Sequence, residues 1–339
     1  MATPQTPVLT PDELRELCRA AVRAAGGGDR TAEALAEATV AAELRGKPAV
    51  GAAHLLDYLD ALRAGRLNGD PHPQLTARRR AAISIDADQG AAQVAFDHGL
   101  ASLVEAARAS GIAVLSIGNC FSAGELAHYT TRVAEHGLVV FAGTNSPALM
   151  AVHGSSAPVT GTNPLSFALP HRLGPRVFDQ ASSATAWVSV RDAAYAAEPI
   201  PEGWAVNADG EPTTDATAAL AGALLPFGGV KGGNIAVMVD TLAALSGGSF
   251  SLDAAPFDSG SRSPALGLFV IAIDPAAFDP DFAERAEAHH QRLTADHGID
   301  FGRRKHPSPT IQLPPEVYDA LRGNSPEPRR SPTGDGRRP

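Results

Sequence analysis

The stretch Val139–Pro170, VVFAGTNSPALMAVHGSSAPVTGTNPLSFALP, decides how the rest of the chain is read. It holds two near-copies of a Gly-Thr-Asn turn closed by proline, at Gly143–Pro147 and Gly161–Pro164, each following a run with β-branched or apolar residues. Glycine tolerates positive φ and close backbone approach, Asn and Thr bond the local backbone, and proline fixes the exit. Two rigid polar turns at strand ends suit the holding of a small ligand; the plainer alternative is a pair of ordinary turns. A second run, LPFGGVKGGN over Leu225–Asn234, sets Lys231 inside a glycine-rich turn just before an apolar helix. A point charge beside the free N–H groups of a helix start attracts an anion. The alternative there is a surface lysine.

Outward from these turns, the chain alternates helices and strands. Thr10-Pro11-Asp12-Glu13 is a capping-box pattern with proline at the first helical position, so a helix is expected over residues 10–25, broken by Gly26–Gly28. Helices follow over about Thr31–Leu44 and Gly51–Ala64, making residues 1–75 a helical lobe. Residues 69–80 read as a linker. Ile83 and Ile85 mark a strand, residues 91–110 a helix, and Ala113–Ile117 a buried strand, which gives a β-α-β rhythm and an α/β class. Further strands are expected at Phe167–Leu169 and Leu266–Ile273, and helices at Ala123–His136, Ile235–Leu245 and Phe278–His297. The α/β region spans 76–305, residues 306–322 pack back on the lobe, and 323–339, with no large apolar side chain, are expected to be disordered.

Composition narrows the function classes. At 339 residues the chain builds a sizeable core, and a net charge of −9 argues against nucleic-acid or membrane-surface binding. There is no apolar run of about 18 residues and no charged-then-apolar leader, so the sequence reads as soluble and cytoplasmic. Two cysteines, Cys18 and Cys120, give no disulfide framework, and no Cys/His cluster has zinc spacing, so no metal is expected. Cys120 reads as a small buried thiol, His128 as a solvated helical histidine, and His289 and His290 as surface residues.

The two GTN turns, Asp179-Gln180-Ala181-Ser182-Ser183, Pro201-Glu202-Gly203-Trp204-Ala205, Asp209–Asp215 and LLPFGGVKGG occur in an order that resembles the malate/L-lactate dehydrogenase family of the second type. That NAD(P)-dependent group includes sulfolactate and ureidoglycolate dehydrogenases and cyclic-imine (Δ1-piperideine-2-carboxylate) reductases. The resemblance runs over roughly residues 8–322. It implies a non-Rossmann dinucleotide domain, in keeping with the lack of a GxGxxG after a strand. It also implies a homodimer with each site near the subunit interface, a small-molecule substrate, and NADP or NAD as cofactor. Carried over residue by residue, the cofactor set is Ser122, Gly124, Thr144, Asn145, Thr162, Asn163, Asp179, Ser182, Ser183, Lys231 and Gly232. Arg303 and Arg304 join it as candidates for a 2′-phosphate, against a solvated basic corner.

The chain departs from the family where the family does its chemistry. Family members follow Arg-Gly with Val-Asp-Ser-His-Gly and an arginine four residues after the histidine. Here the stretch reads Arg45-Gly46-Lys47-Pro48-Ala49-Val50-Gly51, with His54 at the arginine's place. Val50 thus stands where the proton-donating histidine is expected, and general acid–base work is worth about 10²–10⁴-fold in rate. In Asn119-Cys120-Phe121-Ser122-Ala123-Gly124 a second family histidine gives way to Ser122. The acidic member of the imine reductases' relay aligns with Ser189, or with nearby Asp192. Three catalytic candidates remain, His54, Ser122 and Asp192.

The resemblance therefore supports a divergent NAD(P)H-dependent oxidoreductase that reduces a C=N or C=O group of a small metabolite, in a biosynthetic setting. The alternative is a scaffold recruited for a non-redox cyclisation or isomerisation, or a catalytically silent member.

Overall fold

The computed structural model describes residues 6–302 and 308–323, with the backbone alone for Arg78. Arg303 and Arg304, and the tail from residue 324, lie outside the described residues.

The chain opens with a short strand β1 (Val8–Leu9) and three helices, α1 (Pro11–Ala24), α2 (Asp29–Leu44) and α3 (Ala52–Arg63). The capping box forms as its residues dictate: Thr10 Oγ1 accepts the Glu13 N–H while the Glu13 carboxylate accepts the Thr10 N–H at 2.7 Å. Leu14, Cys18 and Val22 on α1 recur at helical spacing and pack against Leu35, Leu55, Leu59 and Leu62 in one apolar core.

Next comes β2 (Gln74–Arg79), within the stretch expected to be a linker. It is an edge strand paired antiparallel with β3 (Ala82–Asp86), and its outer side faces water, with Leu75 half exposed, so its sequence carries no apolar alternation. α4 (Ala92–Ser110) ends at Gly111, whose φ of +79° turns the chain into β4 (Ile112–Cys120), parallel to β3. α5 (Ala127–Ala134) is shorter than its sequence suggests, because the positive φ of Gly124 keeps the preceding residues out of the helix. β5 (Val139–Thr144), β6 (Leu165–Leu169) and β7 (Arg176–Gln180) form an antiparallel meander.

Residues 187–224 make a small satellite: α6 (Trp187–Ala196), strands β8 (Ala205–Val206) and β9 (Pro212–Thr213), α7 (Ala216–Ala221) and β10 (Ala223–Leu224). Its own core gathers Val190, Ile200, Ala205, Ala219 and Leu224. α8 (Val230–Ala243) starts earlier than expected, so Lys231 belongs to its first turn. β11 (Leu266–Ile273) then returns to the middle of the main sheet, α9 (Phe282–His297) lies over an edge with no residue fully buried, and β12 (Ile311–Gln312) and α10 (Pro315–Leu321) close on the lobe.

The seven-stranded sheet has the order β2-β3-β4-β11-β5-β6-β7. Only β3 and β4 run parallel, so this is a mixed α/β sheet and no doubly wound Rossmann sheet. β11 reads LGLFVIAI because helices cover both its faces: Leu268, Val270 and Ala272 point into the main core, and Phe269 into a second one with Val239 and Ala243 of α8. Burying such side chains stabilises by about 1.5–3 kcal/mol each.

Candidate active site

The two Gly-Thr-Asn turns meet. β5 ends at Thr144, β6 begins at Leu165, and the pairing of Gly143 with Leu165 sets the turns side by side. Their side chains are spent on the scaffold. Asn145 donates to Asp240 at 2.8 Å and to the Ser249 carbonyl at 2.7 Å, and its amide oxygen accepts the Gly267 N–H at 3.0 Å. Asn163 donates to the Ala236 carbonyl and accepts from the Ser146 N–H. Thr144 donates to Gly267, Ser182 to the Asn163 carbonyl and Ser183 to the Thr185 carbonyl. Thr162, half-buried, accepts the Ser182 N–H on its carbonyl. The side chains of Thr144, Asn145, Asn163, Ser182 and Ser183, expected as cofactor contacts, each carry internal hydrogen bonds, because each is buried and must be satisfied.

The start of α8 is different. Gly228 and Gly229 have φ of +57° and +62°, and nothing stands within 4 Å of where a Cβ would be. Gly232 is closed to any side chain, since its Cβ would meet the Phe227 carbonyl at 2.0 Å. The glycine turn thus bares the first N–H groups of a 14-residue helix, with Lys231 exposed beside them. Bare N–H donors plus a cation are what a phosphate or pyrophosphate takes, so the residues present fit a nicotinamide dinucleotide.

The third region is the junction of the lobe with the sheet. Arg45 ends α2, and its guanidinium forks onto Glu125, with Nε 3.0 Å from both carboxylate oxygens. The Glu125 side chain is 6% exposed. Beside this pair, Asp179 near the end of β7 accepts the Ala127 N–H on Oδ2 at 2.8 Å, which tethers the start of α5. Burial, reinforced by the Glu125 charge, pushes the Asp179 carboxyl up to about 7, against the Ala127 hydrogen bond and the opposing pull of Arg45 and Lys47. His128 on α5 is buried, contrary to the solvated histidine expected; burial first, then Arg132 and Arg45, lower it to about 3, so it is neutral. The reason is that α5 turns this face toward Arg45 and packs it edge-on against Tyr129.

Ser122 follows β4 and is buried, with Oγ accepting the Gly124 N–H at 3.3 Å and bonded to the Tyr58 hydroxyl. Gln93 also donates to Tyr58, at 3.3 Å, while its own amide oxygen has no partner among the described residues. Burial pushes Tyr58 up to about 12. Ala49 and Val50 sit in an exposed 3₁₀ turn that Glu43 holds by accepting the Ala52 N–H. His54 is on α3, its Nδ1 2.9 Å from Asp57 and its ring edge-on to Tyr58, so it is tied to its own helix. Cys120 is buried, raised to about 12 and bonded to the Leu266 carbonyl, which leaves it no thiolate.

Of the three catalytic candidates, the structure brings Ser122 and His54 to Tyr58, and leaves Asp192 elsewhere. Asp192 faces water on α6, its side chain 67% exposed and 3.9 Å from Arg191, and Ser189 on the same helix is exposed too. His290 is half-buried against Phe301 where a surface residue was expected, because α9 lays that face on the sheet edge; His289 is exposed. Among the described residues no group of three His, Cys, Asp or Glu side chains could hold a metal, and no helix is long and apolar enough to cross a membrane. Sequence reading passed over the Arg45–Glu125 pair. The available signal was two opposite charges, one five residues before Val50 and the other three after Ser122.

Residues 9–305 match the malate/L-lactate dehydrogenase family. The chain belongs to that family. It is similar to a (2R)-3-sulfolactate dehydrogenase (NADP(+)) of Chromohalobacter salexigens, 35% identical over 91% of this chain and 96% of the relative. A Delta(1)-pyrroline-2-carboxylate/Delta(1)-piperideine-2-carboxylate reductase of Pseudomonas aeruginosa is 40% identical over 79% of this chain and 81% of its own. The crystal structure of a delta1-piperideine-2-carboxylate reductase from Pseudomonas syringae superposes with a TM-score of 0.84 at 31% identity, covering 95% of this chain and 100% of that one. The dehydrogenase family is one of NAD(P)-dependent oxidoreductases, and that is the enzyme class of this chain. Nothing in these relatives supports the non-redox alternative.

Proposed function

We propose that this family member reduces the C=N bond of a small cyclic imine carboxylate with NADPH, as a homodimer. The observation that carries the reading is the bare helix start at Gly228–Lys231 on a chain 40% identical to a named imine reductase. Reduced nicotinamide, when bound, supplies the hydride; the protein binds, orients and completes the proton inventory. Gly228, Gly229 and Gly232 with Lys231 would hold the phosphates. The choice of NADPH over NADH follows the named cofactor of the sulfolactate relative. The choice of imine over 2-oxo acid rests on proton demand. Val50 and Ser122 provide no imidazole, and an imine nitrogen, being more basic than a carbonyl oxygen, asks less of the protein's acid. His54, in place of an arginine, is a weaker anchor for a carboxylate.

The test follows NADPH absorbance with Δ1-pyrroline-2-carboxylate, malate and lactate in turn, alongside calorimetric titration with NADPH and NADH. Stoichiometric cofactor loss with the imine, and turnover at least about 100-fold slower with the two hydroxy acids in the reverse direction, is expected. Binding of no reduced cofactor, or fast malate or lactate oxidation, overturns the reading.

A further inference from the structure

Two segments in which the resemblance implies a histidine that this chain lacks converge on one carboxyl group. Lys47 opens the turn that contains Ala49 and Val50, and Glu125 lies three residues beyond Ser122; the charges of both act on Asp179. Asp179 is only half-buried, unlike Glu125 beside it, and Glu125 is already spent on Arg45. Of the two Asp179 oxygens, Oδ2 takes the Ala127 N–H and Oδ1 takes no hydrogen bond among the described residues. A carboxyl group with one oxygen anchored and the other unclaimed is held in one orientation and has a site to carry a proton.

We propose that Asp179, anchored by the Ala127 N–H beside the Arg45–Glu125 pair, is the proton donor of this enzyme, in place of the imidazoles that Val50 and Ser122 displace. The proposal rests on the imine-reductase reading for its substrate. As hydride adds to the imine carbon, the C=N π pair withdraws to nitrogen and takes the proton from Asp179 Oδ1. A new C–H and a new N–H bond form, the O–H bond breaks, and Asp179 is left as a carboxylate that water re-protonates. The charges of Arg45 and Lys47 stabilise that carboxylate after transfer, while that of Glu125 opposes it and favours return of the proton. His128, next to Ala127 in sequence, is neutral and adds no charge. A chain with no histidine at Val50 or Ser122 thereby keeps a proton source.

The first measurement needs no substrate. Carbon-13 resonances of aspartate side-chain carboxyls are followed against pH in the full chain, and one is expected to titrate around pH 7 and to vanish in Asp179→Asn. Glu125→Gln removes the opposing charge and frees Arg45, so the same resonance is expected to titrate at lower pH. The second measurement is turnover of Δ1-pyrroline-2-carboxylate with NADPH. Asp179→Asn, which keeps an acceptor for the Ala127 N–H, is expected to lose about 10²–10⁴-fold in kcat with NADPH affinity and melting temperature retained. The wild-type fall of kcat above about pH 7 is expected to move acid-ward in Glu125→Gln. An Asp179 resonance that titrates in the ordinary carboxylate range, or an Asp179→Asn enzyme with wild-type kcat and pH profile, overturns the proposal. Wild-type protein that consumes no NADPH with the imine overturns the reductase reading instead, since the titration is read on protein alone.

Discussion

The paired Gly-Thr-Asn turns and the junction under Arg45 are both polar and largely buried, yet they are built to opposite ends. In the turns every amide is matched. Asn145 alone satisfies a carboxylate, a carbonyl and a backbone N–H, and Asn163 knits the second turn to the first. At the junction the accounts do not close: a carboxyl group stands beside another carboxylate, a neutral histidine is packed near two arginines, and the Gln93 amide oxygen is left over. A matched network fixes shape, whereas unmatched charge in a low-dielectric corner leaves chemistry to be done. The Gly-Thr-Asn motifs mark the frame, and the unmatched groups gather at the junction.

Breaking the matched side has the largest expected effect. Asn145→Leu leaves the Gly267 N–H, the Ser249 carbonyl and Asp240 short of a partner, at about 1–3 kcal/mol for each orphaned group. Urea unfolding is expected to show a loss of about 4 kcal/mol, and a loss under about 1 kcal/mol would mean that the turns are less rigid than their bonding implies.

The junction is probed by pH. His128 is lowered from 6.5 to about 3, so the stability it contributes is present above pH 6.5 and is lost as pH falls through that window. Asp179 is raised from 3.8 to about 7, so its contribution is present below pH 3.8 and is lost as pH rises toward 7. The two slopes oppose each other where they overlap, each at most about 1.4 kcal/mol per pH unit. His128→Phe is expected to remove the acid-side loss, and Asp179→Asn the loss toward neutrality, in urea midpoints measured across pH. Identical profiles in either variant and the wild type would place that group in water.

How much of this was legible in the chain depended on distance along it. The capping box at Thr10, the Gly111 stop after α4 and the apolar run of β11 are local patterns, and each forms where its residues say. β2 is an edge strand that pairs, among the described residues, with β3 alone, and its mixed polar face looks like a linker. At the site, Val50 and Ser122, standing where the resemblance implies histidine, are visible in the letters alone. The bond between Arg45 and Glu125 spans 80 residues, and nothing in either neighbourhood announces the other. His128 has a polar helical setting in sequence, and only the packing of α5 on the lobe and sheet buries it.

The smallest expected effect sharpens the contrast from the outside. Lys231 meets solvent and serves no internal bond among the described residues, so Lys231→Ala is expected to leave the melting temperature unchanged. By calorimetry the Kd for NADPH is expected to rise about tenfold, or about 1.4 kcal/mol. A changed melting temperature with unchanged affinity would assign the lysine to the frame.

The closing of the lobe has a consequence for the order in which the protein is made. β1 pairs with β12, and Ile311, Leu313, Val317 and Leu321 fill the same core as Leu14 and Leu35. β11 likewise fills the slot between β4 and β5, strands that emerge from the ribosome well over a hundred residues earlier. Both the first lobe and the main sheet therefore wait, with apolar faces uncovered, until β11 and β12 have been made. A ribosome stalled before Leu266 would hold a nascent chain that is rich in helices and lacks its keystone, the kind of intermediate that chaperones bind.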